Sequence, residues 1–274
     1  MSTFTFENGE TSSISFSYLR KFNIAMGFLH LVQGLLMLLL GILLESQLQF
    51  SADIFTFYNE YAYDPSIGLI GGPNPTVQFT LTYVGVLISS FLLLSAIAHL
   101  LIGYPLKNYY ERNLKKKINP IRWFEYALSS SIMIVFIAVL FGVFDFWTLF
   151  AIFILNALMN MFGLLMELHN QTTEKTNWTS YILGFIAGIT PWIIITAYFF
   201  NTLSIGGEIP TFVYLIYFIE FIFFFGGFAM NMFLQYKRVG PWYDYNYGER
   251  GYQILSLVSK SILAWLVFFG IFQP

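Results

Sequence analysis

The segment Ser256-Leu257-Val258-Ser259-Lys260-Ser261-Ile262-Leu263-Ala264-Trp265 decides the fold class, because it places a charged side chain in the middle of an apolar run. Lys260 is the only lysine or arginine in the interior of the long apolar segments. An ammonium group at such a membrane depth is costly, so it indicates a functional site with an acidic partner. A lysine in apolar surroundings is also suited to form a Schiff base, because desolvation favours its neutral, nucleophilic amine. The alternative is that Lys260 extends its ammonium to a membrane interface.

The composition of the 274-residue chain indicates a membrane protein. Hydrophobic residues make up 57% of it and charged residues only 10%, whereas soluble domains contain about 25% charged residues. The chain has no cysteine, which excludes disulfides, thiolate metal sites and cysteine nucleophiles. The first 20 residues are polar, so we expect the first apolar helix, and no cleavable signal peptide, to direct membrane insertion.

Seven apolar segments are each long enough to cross about 30 Å of hydrocarbon as a helix. They predict an all-α membrane protein, a seven-transmembrane helix bundle that forms a single domain over residues 1–274. The predicted helices are residues 22–44, 77–102, 121–141, 147–168, 178–200, 210–234 and 253–272. The first loop is rich in Phe and Tyr over residues 50–63 and ends in Gly71-Gly72-Pro73-Asn74-Pro75, which predicts a short β-hairpin with a turn-rich exit.

The distribution of charge predicts the orientation of the bundle. All twelve lysines and arginines other than Lys260 fall before the first segment or around the connections that follow the second, fourth and sixth. The opposite connections contain only acids, such as Asp53 and Glu208. By the positive-inside rule, we expect an integral multi-pass protein with a cytoplasmic N-terminus, an extracellular C-terminus and the hairpin in the first extracellular loop.

Polar residues on three other segments come out at a depth similar to that of Lys260. At 1.5 Å per helical residue, Lys260 lies roughly 10 Å, His30 roughly 12 Å and His99 roughly 5 Å from the cytoplasmic boundary. Glu125 lies roughly 6–8 Å from it, so it is the acid expected to pair with Lys260. Ser256 precedes Lys260 by one turn on the same helix face.

Each of these residues also has a purely structural interpretation. Glu125 could complement the dipole of its helix or pair with Arg122. The two histidines could be satisfied core residues. Ser129, one turn after Glu125, could bond to that carboxylate or act as a small packing residue.

Two further acids lie within apolar segments. Glu220, in Phe218-Ile219-Glu220-Phe221-Ile222, could be a protonated structural acid or one station of a proton route. Its predicted position is too far from the inner cluster for the first counterion of Lys260. Glu167, near the inner end of the fourth segment, is expected at the membrane interface.

Familiar catalytic and metal-binding motifs are absent from the sequence, including phosphate-binding loops, zinc-hydrolase helices and serine-nucleophile elbows. We therefore predict neither an enzyme nor a metal site. The alternative from the enzyme class is a membrane enzyme with a catalytic lysine for carbonyl or acyl chemistry. The basic run at residues 115–117 is explained by topology and attraction to anionic lipid, so nucleic-acid binding is not predicted.

An ordered set of local sequences resembles the heliorhodopsins, a branch of the microbial-type rhodopsins with an inverted topology. The resemblance covers essentially the whole chain. The matching stretches are Phe28-Leu29-His30-Leu31-Val32-Gln33, Ser95-Ala96-Ile97-Ala98-His99, Arg122-Trp123-Phe124-Glu125-Tyr126, Asn156-Ala157-Leu158-Met159, Pro191-Trp192 and Ser256-Leu257-Val258-Ser259-Lys260.

The resemblance implies that all-trans retinal is bound covalently to Lys260 as a protonated Schiff base. Glu125 would be its counterion, Ser256 would lie beside the nitrogen, and His30 and His99 would line a polar cavity on the cytoplasmic side. The further retinal contacts that it implies, in falling order, are Gln33, Ser95, Tyr126, Asn156, Met159, Trp192 and Phe225.

The same resemblance implies a light sensor that signals without pumping. Proton pumps of the wider family use a second carboxylate at the position of Ser256, so the released proton would be held by His30 and His99. The long first loop resembles the sheet through which heliorhodopsins form homodimers, and a cytoplasmic signalling partner is expected. Glu220 lies outside the family pattern, and the alternative function is a light-activated proton channel or transporter that uses it.

Overall fold

The computed structural model describes residues 4–44, 50–206 and 208–271. In these ranges, seven helical segments are long and apolar enough to cross a membrane, which confirms the predicted seven-helix membrane fold. In chain order the elements are β1 (Phe4–Thr5), β2 (Thr11–Ser12), α1 (Phe16–Leu43), β3 (Ala52–Asp64), β4 (Gly68–Leu81), α2 (Val84–Gly103), α3 (Lys107–Lys115), α4 (Pro120–Leu140), α5 (Phe146–His169), α6 (Thr179–Ser204), α7 (Thr211–Ile216), a π-helix (Tyr217–Phe225), α8 (Gly226–Lys237), a 3-10 helix (Gly240–Tyr243) and α9 (Tyr245–Ile271). The sixth span consists of α7, the π-helix and α8.

The helix starts are set by caps and by the neighbouring strands, and three of them differ from the prediction. Helix α1 begins at Phe16 instead of residue 22, because the Ser15 side chain accepts a hydrogen bond from the Tyr18 backbone N–H. Helix α2 begins at Val84 instead of residue 77, because β4 continues through Leu81. Helix α9 begins at Tyr245 instead of residue 253, and its predicted end at residue 272 lies outside the described residues.

The first loop forms a long antiparallel hairpin, with β3 paired to β4 from Ala52 and Leu81 to Asp64 and Gly68. The turn lies at residues 65–67, where the Asp64 carboxylate accepts from the Ser66 backbone N–H. The predicted turn-rich exit at residues 71–75 is wrong, since these residues belong to β4. Its prolines are tolerated because both strands of a two-stranded sheet are edges, where a missing donor costs little.

The base of this hairpin packs on the bundle, and its outer half is exposed. Ile54 is buried in the main apolar core, which includes residues of α2, α4, α6 and α9. The Phe55 backbone N–H donates to the Phe144 carbonyl in the connection between α4 and α5. Towards the turn, Tyr61, Tyr63 and Leu69 are exposed.

The opposite end of the bundle, here called the basic end, contains the N-terminal strands, α3 and the connections from α5 to α6 and from α8 to α9. The small β1–β2 sheet and α3 were not predicted, because both are short and polar. Glu10, beside β2, forms ion pairs with Lys117 at 2.6 Å and Arg238 at 3.0 Å. The hydrogen bond from Lys117, supported by the charge of Arg238, holds the pKa of the Glu10 carboxyl below its usual range.

Candidate functional site

Lys260 on α9 lies in a buried polar cluster with residues of α2 and α4. Its Nζ donates to Glu125 Oε1 at 2.8 Å, to Ser95 Oγ at 2.5 Å and to Ser256 Oγ at 3.0 Å. The side chains of Lys260 and Glu125 are 3% and 6% exposed. A buried ion pair is stable only where hydrogen bonds satisfy its remaining polar atoms, and the two serines provide those bonds.

The four residues come together because of helix spacing. Ser256 precedes Lys260 by one turn of α9, so both side chains lie on the same helix face. Ser95 Oγ is also 2.6 Å from Glu125 Oε1, which joins α2 to the pair. Glu125 thus pairs with Lys260 and not with Arg122, its alternative partner from the sequence.

Tyr126, the residue after Glu125, also contacts the lysine. Its ring centroid lies 5.2 Å from Lys260 Nζ, within the range of a cation–π interaction. Its hydroxyl donates to the Tyr252 carbonyl at 2.8 Å, which fixes the ring against α9.

A cavity of about 150 Å³ adjoins the lysine. Its lining combines the lysine with apolar and aromatic side chains. The predicted site residues in this lining are Tyr126, Asn156, Met159, Trp192, Glu220, Phe225, Ser256 and Lys260. Trp192 and Phe225 both belong to this lining, with 6.4 Å between ring centroids, which makes one wall an aromatic surface.

Gly188 on α6 lets two side chains of the cavity lining, Met159 and Phe225, pack directly against its backbone. A Cβ atom added there would collide with Met159 and Phe225. Asn156, another lining residue on α5, donates to Ser130 at 2.7 Å and to Ser131 at 3.1 Å. The cavity is therefore shaped by packed side chains with their own partners.

Six predicted residues lie outside that lining, namely Glu125 and Ser95 of the lysine cluster, the two histidines, Gln33 and Ser129. The Gln33 side chain on α1 accepts a hydrogen bond from the Trp265 indole at 3.2 Å, and its contact with retinal stays a prediction. Ser129 is fully buried one turn after Glu125. It is close enough to interact with that carboxylate, but its Oγ forms no hydrogen bond with the described residues.

The two histidines form a stacked pair, with 5.5 Å between ring centroids and 12° between ring planes. His99 Nδ1 lies 2.8 Å from Asn23 Oδ1. Within the described ranges, His99 Nε2 and both ring nitrogens of His30 have no hydrogen-bond partner. His99 lines a small cavity of about 10 Å³ together with Glu125, whereas His30 lies behind its ring.

Glu220 lies in the π-helix and is 4% exposed. Its Oε2 accepts from Ser259 at 2.8 Å, and its Oε1 has no partner in the described part of the chain. Ser259 is the residue before Lys260, so its bond to Glu220 brings that acid close to the lysine. Glu220 lines the same cavity as Lys260 but does not pair with it.

A second buried charge cluster lies nearer the basic end, and sequence reasoning missed it. Arg122 donates to Glu167 at 2.6 Å and also to Glu249, and all three side chains are at most 4% exposed. Glu167 also accepts from the Trp123 indole at 2.8 Å and the Tyr245 hydroxyl at 2.9 Å. Glu167 lies two residues before the end of α5, and its side chain is buried in this cluster. Its expected position at the membrane interface stays a prediction. An earlier start for α9 in the sequence reading would have brought Glu249 into the membrane segment and drawn attention to it.

Seven membrane helices, a buried lysine on the last of them, its carboxylate partner on the third and an adjoining aromatic cavity together define the rhodopsin class of proteins. Within that class, the family model for heliorhodopsin matches residues 19–272, nearly the whole chain. The chain belongs to the heliorhodopsin family, which confirms the resemblance found in its sequence. Membership makes it a rhodopsin-like, light-responsive membrane protein with a lysine-bound retinal chromophore. A search of curated proteins found no match.

Proposed function

We propose that this protein is a light sensor in which all-trans retinal forms a protonated Schiff base on Lys260, with Glu125 as its counterion. The observation that carries the proposal is the 2.8 Å ion pair between these two side chains at the rim of an aromatic cavity. When bound, retinal supplies the visible absorption and the light-driven isomerisation.

The residues around the cavity fit that chromophore. Its walls are rich in aromatic side chains, as a polyene requires, and Gly188 lets two of the lining side chains, Met159 and Phe225, pack closely against α6. The only ion pair at its rim is at the lysine end, among the residues that the structure describes. An apolar cavity with a few convergent polar groups is the usual form of a small-molecule site.

The hydrogen bonds around Lys260 favour a sensor over a pump. Glu125 balances the charge on the nitrogen, and Ser95 and Ser256 orient it. One turn before the lysine, where a pump has a second carboxylate, this chain has Ser256. A light-induced change at the nitrogen is then expected to be transmitted through helix movement at the basic end.

We further propose that the chain is a single domain over residues 1–274 with a cytoplasmic N-terminus and an extracellular C-terminus. The one-sided distribution of lysine and arginine supports this orientation. The exposed aromatic half of the β3–β4 hairpin supports a homodimer, and the basic end would bind a cytoplasmic signalling partner. We propose no enzymatic activity and no nucleic-acid binding.

The test is expression with all-trans retinal, followed by purification and absorption spectroscopy. The wild-type protein and K175A, a control at an exposed loop lysine, should form a visible pigment, and K260A should not. A coloured K260A protein would exclude Lys260 as the attachment site.

The second candidate function is a light-activated proton channel or transporter that uses Glu220. It is favoured by Glu220 Oε1 on the cavity wall, which has no hydrogen-bond partner among the residues that the structure describes. Voltage-clamp recordings during illumination separate the two functions. No photocurrent is expected from a sensor, whereas a photocurrent that E220Q abolishes and E208Q retains would establish the alternative.

A further inference from the structure

We propose that Glu249 is a second proton site, which accepts the proton that leaves the Lys260 nitrogen after illumination. The inference rests on the proposed function, because it requires a protonated nitrogen at Lys260. It assigns a role to the buried cluster at the basic end of the bundle.

The buried cluster around Arg122 contains more acidic than basic groups. One guanidinium, that of Arg122, contacts two carboxylates, those of Glu167 and Glu249. When both acids are ionised, the cluster carries one uncompensated negative charge in a buried position, which is energetically costly. One proton on either carboxylate removes that charge, so a proton that reaches the cluster after illumination is stabilised there.

The hydrogen bonds around the two carboxylates differ, and this difference decides which of them takes the proton. Glu167 accepts from Arg122, the Tyr245 hydroxyl, the Trp123 indole and the Asn119 backbone N–H. Three of these four donors are N–H groups that cannot accept, so Glu167 is stabilised as an anion. The Tyr245 hydroxyl oxygen is the one group among them that could accept from a protonated Glu167.

Glu249 has different surroundings. It accepts from Arg122 and from Asn119 Nδ2 at 2.7 Å, with Tyr110 at 3.1 Å and Gln253 Nε2 at 3.5 Å. Gln253 Oε1 has no partner among the described residues. A rotation of the Gln253 amide would therefore offer an acceptor to a protonated Glu249, because the oxygen and nitrogen ends exchange places.

A small cavity connects Glu249 to Glu125, the partner of Lys260. Glu125 and Glu249 line the same small cavity, of about 10 Å³, with Arg122 and Gln253 beside them. That volume approaches what a single water molecule requires, and the polar lining provides its partners. In the transfer, the N–H bond at Lys260 breaks and an O–H bond forms on Glu249. The nitrogen and Glu249 both become neutral, so the total charge is unchanged.

The histidine pair is the competing destination, and the structure favours it less. An imidazolium ring needs two hydrogen-bond acceptors. His99 has only Asn23, and His30 has none within the described ranges. Glu249 can obtain its single acceptor from a side chain already in place.

Several titratable groups surround Glu249 and influence its protonation. Arg122 favours the anion, and Glu167 favours the proton. The phenols packed around the cluster are Tyr110, Tyr126, Tyr245 and Tyr252. Across the small cavity lie His99 and Glu125.

The experiment is time-resolved infrared difference spectroscopy of the pigment. When the Lys260 nitrogen loses its proton, a positive band from a protonated carboxyl group should appear. The band should be lost in E249Q, shifted in E249D and unchanged in E174Q, a control at an exposed acid. A band that persists unchanged in E249Q would overturn the inference, and E249D provides the same test if E249Q fails to fold.

An acid titration of the protein in the dark gives an independent readout. One buried carboxyl band should appear on acidification of the wild type and be missing from E249Q. Failure of the proposed function would be seen differently, as a protein that forms no pigment. An unaltered titration in a folded E249Q protein would contradict a proton site at Glu249, whatever the state of the pigment.

Discussion

Glutamine in place of Glu125 should destabilise the protonated nitrogen at Lys260, because it removes the carboxylate while keeping the size of the side chain. Unit charges at the observed separation of 2.8 Å attract by about 6 kcal/mol at an effective dielectric constant of about 20. Loss of one member of a buried pair typically costs about 3–5 kcal/mol. Proton binding at the nitrogen should therefore weaken by about 10²- to 10⁴-fold.

The assay is absorption spectroscopy of the purified pigment over a range of pH. E125Q should lose the visible band at neutral pH, because a deprotonated nitrogen absorbs at shorter wavelength, or shift it to the red where the proton remains. E125D keeps the charge and should keep a visible band. S95A removes the hydrogen bonds of Ser95 with Lys260 and Glu125, about 0.5–1.5 kcal/mol each, but keeps the carboxylate and should change the titration less. An E125Q pigment with the wild-type spectrum and titration would refute the counterion role.

Three further predictions concern the cavity, the basic end and the orientation. G188L should prevent pigment formation, because its side chain would displace Met159 and Phe225, which line the cavity, whereas G226A meets no atom within 4 Å and should bind retinal normally. The lowered pKa of Glu10 means that its ion pairs stabilise the fold above the ordinary carboxyl pKa and are lost as pH falls through the lowered value. The thermal stability advantage of wild type over E10Q should therefore disappear on acidification, and an advantage that persists in acid would contradict this role. The sequons at Asn170 and Asn177 should remain unglycosylated in a eukaryotic membrane, and a glycan on either would reverse the proposed orientation.

The membrane fold was predictable because length and apolarity alone determine which segments can span a bilayer. Three of the helix starts were not, because β4 continues through Leu81 before α2 and because the first turns of α1 and α9 include polar residues. Residues Tyr245-Asn246-Tyr247-Gly248-Glu249-Arg250 are helical, yet their hydropathy excludes them from an apolar segment. Glu249 was therefore left outside the predicted membrane segment and was not recognised as a buried acid.

The pairing of Lys260 with Glu125 was accessible to sequence reasoning, since the rise per residue places both at similar depth. The Arg122 cluster was not, because its members come from α4, α5 and α9 and meet only through helix packing. The π-helix around Glu220 also had no signal, since residues Tyr217–Phe225 contain neither proline nor glycine.

Peptide mapping of the reduced pigment is the direct test of whether retinal is attached to Lys260, on which the proposed function depends. Borohydride reduction fixes the retinyl group on its lysine, and mass spectrometry of the digested protein identifies the modified peptide. We expect one retinyl group per chain, on the peptide that contains Lys260. A retinyl group on any other lysine, or none on a coloured protein, would contradict it.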